Sequence, residues 1–176
     1  MNARGTLVDS KTARFERLLP GPIERVYAFL TTNEGLSTWL GIGDIEPRVG
    51  AKVALGMLPG DQDAPKQTEP HITGEVLKAQ PPHLLSFTWL AKRPSAEYAD
   101  AATHVSVVTF ELQPEGEQVR LTLTHEPILP EYRSRTLGGW HALLDTLQAR
   151  LEGREPEPFM DVFQRLHPEY ERQVGG

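Results

Sequence analysis

The chain has 176 residues, 39% of them hydrophobic, a length that normally folds as one domain around a single core. Its formal net charge of -6, with no basic run, excludes electrostatic capture of nucleic acid or of an anionic lipid surface, both of which need clustered Lys and Arg. The absence of cysteine excludes disulfides, thiolate nucleophiles and cysteine metal sites, and fits a reducing, cytoplasmic compartment.

Residues 1–11, within MNARGTLVDSKTARF, show no periodicity and no apolar signal-peptide core, and are expected to be a flexible arm. No stretch approaches the ~20 apolar residues that a membrane span needs. Ala13 to Leu19 alternates as a first strand, with Phe15 and Leu19 on one side. After Pro22, residues Ile23, Val26, Tyr27 and Leu30 fall on one helical face, and Glu24 sits at the positive end of the helix dipole. Thr31 to Asn33 stops that helix, and Thr32 or Asn33 is placed to cap a second short one carrying Leu36, Trp39 and Leu40.

From Gly43 the pattern is that of an antiparallel meander. Asp44 to Arg48 and Lys52 to Met57 flank a turn at Val49 and Gly50, and His71 to Ala79 and His83 to Leu90 flank Gln80, Pro81 and Pro82. His104 to Leu112 and Gln118 to Glu126 are separated by Pro114, Glu115, Gly116 and Glu117, a polar turn with a glycine at hand for positive φ. In the second of these strands Val119, Leu121, Leu123 and His125 share the interior face. Pro59 to Pro70 and Lys92 to Thr103 read as loops.

The segment TLTHEPILPEYRSRTLGGWHALLDTLQARLEG then turns from strand to helix, with Leu137, Trp140, Leu144, Leu147 and Leu151 on one face. A long helix arriving after a run of strands must lay that stripe on the sheet. Beyond REPEP, Phe159, Val162, Phe163, Leu166 and Tyr170 form another one-sided stripe, a helical extension over residues 154–176. Something must cover it, either the outer surface of its own domain or a second copy. A homodimer through residues 158–173 is expected, because the interior face of the sheet is already taken.

PIERVYAFLT with Trp39, the Gly50 turn, ITGEVLKAQPPHLLSFTW, VSVVTFEL with LTLTHEP, and GGWHALLDTLQARLEG occur here in this order. Together they resemble the START-like helix-grip superfamily over residues 12–153, in the branch named after the activator of the heat-shock-protein-ninety ATPase. The resemblance implies an α+β domain of the order β-α-α-β6-α, in which a curved antiparallel sheet grips a long C-terminal helix around a cavity. Placed on this sequence, the cavity would be faced by Trp39, Phe87, Trp89, Val107, Leu121, Leu123, Trp140, Leu144 and Leu147. The expected function is binding of a hydrophobic or amphipathic small molecule there, as a carrier, sensor or stress-related protein. An enzyme of cyclase or hydrolase type is the alternative, and a chaperone partner is implied only by the namesake.

His125, and His141 with Asp145 one helical turn further on, can be read as a general base oriented by a carboxylate, or as a strand-end turn and a solvated pair. No nucleophile or oxyanion motif accompanies them, so no catalytic residue is assigned. The six histidines, at 71, 83, 104, 125, 141 and 167, lack metal-binding spacing, and neither a metal nor a cofactor is expected. Gly138 and Gly139 are expected to let the helix backbone pack closely against the first helix.

Overall fold

The computed structural model describes residues 3–56, 70–91 and 104–175. Strand β1 (Thr6–Leu7) and β2 (Ala13–Pro20) lead into α1 (Ile23–Thr31) and α2 (Asn33–Leu36). Five strands follow: β3 (Lys52–Leu55), β4 (Ile72–Gln80), β5 (Leu84–Ala91), β6 (Ser106–Glu115) and β7 (Gln118–Glu126). A 3-10 turn, Pro130–Tyr132, precedes α3 (Arg133–Leu151), and α4 (Phe159–Gly175) closes the described chain.

The strands form one seven-stranded sheet in the order β1-β2-β7-β6-β5-β4-β3, with every neighbouring pair antiparallel. It curves around α3. Alternation in β2 and β7 decides which face turns inward: Ala13, Phe15, Arg17 and Leu19 on β2 register with His125, Leu123, Leu121 and Val119 on β7, and all are buried. Leu137, Trp140, Leu144, Leu147 and Leu151 of α3 lie on that face and are at most 3% exposed. Each such side chain contributes about 1.5 to 3 kcal/mol of burial.

Helix α1 is tied to both layers. Tyr27 donates its hydroxyl proton to the Leu84 carbonyl at 3.0 Å, and Arg25 donates to the Leu151 carbonyl at 2.9 Å, placing a cation at the C-terminus of α3. Thr32 caps α2 by accepting from the Gly35 N–H. Between β6 and β7 the turn is tighter than expected, because Glu115 pairs with Gln118 and only Gly116 and Glu117 remain outside the ladder. Gly116 has φ +64°, the left-handed conformation such a two-residue turn requires.

Three expectations are corrected. Asp44 to Arg48 is not a strand; Ile42 makes an isolated bridge to Gly56 instead, and the Ile45 N–H is already taken by the Thr31 carbonyl at 2.8 Å. Residues 6 and 7 of the expected flexible arm form β1, paired with β2. The stripe of α4 lies along α3 of its own chain, with Val162 and Tyr170 buried and Phe159 exposed. Gly138 meets Phe163 of α4 rather than the first helix: a Cβ there would lie 3.2 Å from the Phe163 ring. The two segments expected as loops, Pro59 to Pro70 and Lys92 to Thr103, lie almost wholly outside the described residues.

Candidate functional site

Eight of the nine residues expected to face the space between sheet and helix do so, and they fill it with one another. Trp39 stands edge-on to Phe110 at 6.1 Å and donates its indole N–H to the Phe29 carbonyl at 2.8 Å. Phe110 lies 6.3 Å from Phe87 and 6.1 Å from Trp140, and Trp89 lies 5.2 Å from Trp140. Phe87, Leu121, Leu123, Leu144 and Leu147 are fully buried. Val107 is the exception. Ser106, Val108, Phe110 and Leu112 are the buried, inward positions of β6, so Val107 points to the opposite face, where it lines a surface cleft of about 380 Å³ with Asp9, Thr12 and Glu126. Both parities of VSVV carry valine, and Phe110 with Leu112 settles the choice.

Trp89 alone of these inward aromatic residues is half-buried. It stands near the end of β5, over Phe87 at 6.3 Å and beside Trp140 and His125, at the end of the sheet where the chain leaves β5 for β6.

Behind it runs a buried polar chain. The Trp140 indole can only donate, so the 2.8 Å contact with His125 Nδ1 fixes that nitrogen as an acceptor. The neutral ring therefore carries its proton on Nε2, which donates to Ser106 Oγ at 2.6 Å, and the serine hydroxyl is 3.4 Å from the Trp89 carbonyl. Burial, with the charge of His104 added, pushes the His125 pKa down to about 3. Both nitrogens are thus engaged, and the serine oxygen accepts a hydrogen bond from the histidine instead of donating one to it. This is the reverse of a nucleophile activated by a base.

His141 belongs to a separate cluster on the far side of α3. Its Nδ1 lies 2.7 Å from the Tyr170 hydroxyl on α4, and its Nε2 lies 3.7 Å from Asp145 Oδ2. Asp145 accepts from Arg17 at 2.7 Å, and Arg17, only 3% exposed, also donates to the Ala3 carbonyl at 3.0 Å. Gly5 N–H donates to the Tyr170 hydroxyl at 2.9 Å, and its backbone rests on the Phe15 ring, where a Cβ would stand 2.2 Å from Cζ. The three weak catalytic candidates are therefore not one site: His125 lies beneath α3 and the His141–Asp145 pair lies under α4. Sequence reasoning missed Ser106, Arg17 and Tyr170 as their partners. Arg17 was detectable, as a charge at an inward position between Phe15 and Leu19.

Among the described residues no group of three or more His, Asp or Glu is placed to hold a metal ion, and no helix is long and apolar enough to cross a membrane.

A curved antiparallel sheet closed by a long helix laid across its concave face defines a helix-grip fold. Residues 20–152 match the family described as activator of Hsp90 ATPase homolog 1-like protein, and the chain belongs to that family. The match ends just before the α4 extension. A Bordetella parapertussis protein encoded by gene BPP1335 is 32% identical, with a TM-score of 0.73 over 98% of this chain and 91% of that one. CalU16 from Micromonospora echinospora is 19% identical, with a TM-score of 0.70 over 94% of this chain and 89% of that one. An Hsp90 activator from Plasmodium falciparum is 20% identical, with a TM-score of 0.59 over 84% of this chain and 99% of that one. No curated protein matches the sequence.

Proposed function

We propose that the protein binds a small hydrophobic or amphipathic molecule on the aromatic surface of Trp89, at the end of the sheet where α3 crosses it. The observation that carries this reading is the half-buried Trp89, backed by Phe87 and Trp140. An indole left partly in water and held by two further rings offers stacking area at little further ordering cost. The other inward residues of the expected lining are buried, so the ligand is held at the end of the core and not within it. Family membership and the fold support a ligand-binding domain, and one structural neighbour, DynU16, is described as a putative protein in the dynemicin biosynthetic locus. His125, with both nitrogens engaged, gives the acid–base reading no support.

Titration of intrinsic tryptophan fluorescence with anilinonaphthalene sulfonate tests this. Trp89→Ala is expected to weaken binding about tenfold, the effect of losing one aromatic contact worth ~1.4 kcal/mol. Unchanged affinity in a folded Trp89→Ala protein overturns the reading. Denaturing mass spectrometry of the purified wild-type protein then identifies any apolar molecule that travels with it.

A further inference from the structure

We propose that residues 3–7 and α4 form a single pH-sensitive clasp on α3, held closed by the hydrogen-bond chain from Gly5 through Tyr170 to His141 and released when His141 takes up a proton. The inference is independent of ligand binding at Trp89.

The two ends of the described chain meet at one hydroxyl. Tyr170 is fully buried, accepts from Gly5 N–H at 2.9 Å and lies 2.7 Å from His141 Nδ1. Gln173 of α4 donates to the Gly5 carbonyl at 3.0 Å, Arg17 of β2 donates to the Ala3 carbonyl, and Arg4 pairs with Glu169 of α4. The arm therefore holds α4 and α4 holds the arm.

The chain of bonds works with a neutral ring. With Gly5 N–H donated to the phenol oxygen, the phenol proton is free to go to His141 Nδ1, and the His141 Nε2 proton faces Asp145. Protonation places a donor on Nδ1 against the Tyr170 hydroxyl, which then loses its acceptor.

The charges around the ring are of both signs, and burial is the largest influence against the proton. Asp145 faces it from α3, Arg17 from β2, Arg4 from the arm and Glu169 from α4, two anions against two cations. Asp145 and Glu169 favour a proton on His141, and Arg17 and Arg4 oppose it. That burial lowers the His141 pKa, and Arg4 keeps the Glu169 carboxyl low, so Glu169 stays ionised through the range in which histidine titrates. In the released state His141 has its ordinary affinity for protons. Closure is therefore fully favoured above about pH 6.5 and is lost as the pH falls below it.

Amide hydrogen exchange of the full chain, corrected for the intrinsic pH dependence of exchange, reads the clasp directly. From about pH 8 to about pH 5, exchange in residues 3–7 and in α4 is expected to accelerate by up to about tenfold per pH unit below 6.5, while β6 and β7, which open only with the whole fold, remain the slowest to exchange. His167, on α4 and 3.3 Å from Ser134, is the other histidine at this interface, and His141→Gln separates the two. That variant is expected to lose the pH dependence. Tyr170→Phe keeps the ring and is expected to raise exchange at Gly5 severalfold even at about pH 8. A flat wild-type profile overturns the proposal, as does a pH dependence that survives in His141→Gln. Should His141→Gln fail to fold, unchanged protection of Gly5 in Tyr170→Phe overturns it equally.

Discussion

At His125 the chemistry of the partners decides the state of the ring. Trp140 can only donate, so its removal has two effects that separate experimentally. Trp140→Ala empties a buried position between Phe110 and Trp89 and is expected to destabilise the protein by about 3 to 5 kcal/mol in urea melts. Trp140→Phe keeps most of the ring but leaves His125 Nδ1 without its donor, and is expected to cost about 1 to 3 kcal/mol. A Trp140→Phe protein as stable as the wild type would show that the indole proton contributes nothing beyond its volume. At Val107, by contrast, a change to Thr is expected to leave stability within about 0.5 kcal/mol, because the side chain faces the outer cleft.

Helix α3 carries two buried stripes. Its first, from Leu137 to Leu151, is readable from spacing alone because every member is large and apolar. Its second, Gly138, His141, Ala142 and Ala149, is made of small or polar residues that a hydropathy pattern assigns to solvent, and it is buried. Residues of this kind permit close approach of α4, which is what Gly138 does against Phe163. Truncation after Gly153 is therefore expected to lower stability by at least about 3 kcal/mol, the burial of Val162 and Tyr170 being lost. Light scattering on the same pair of proteins tests the homodimer expectation: a fall in mass on truncation would support it, and an unchanged mass would leave α4 as a covering for its own α3. An unchanged urea midpoint would show that α4 adds nothing to the fold.

For the molecule as a whole, the two buried histidines give stability the same dependence on pH. The folded pKa of His125, about 3, lies below its unfolded value near 6.5, so between these limits the unfolded chain binds the extra proton. Stability is then fully present above about pH 6.5 and falls as the pH drops, by about 1.4 kcal/mol per pH unit for one such group. The lowered pKa of His141 adds in the same direction over its own window. Urea melts between about pH 8 and about pH 4 are expected to show this acid-side decline. A stability that stays level from about pH 6 to about pH 4 would mean that His125 is not held neutral.

The amino-acid sequence by itself determined the helix-grip architecture, since alternation in β2 and β7 and the helical stripe of α3 depend only on residues near one another in the chain. It also placed eight of the nine inward residues on the correct face, failing at Val107 where valines occupy both parities. Tertiary structure alone decided how tightly those residues close on one another, because packing depends on separations between elements that periodicity does not contain. It alone decided, too, that Arg17, His141 and Tyr170 meet. Arg17 and Tyr170 are 153 positions apart, and nothing local records that Gly5 and Ala3 at one end complete the hydrogen bonds of a helix at the other.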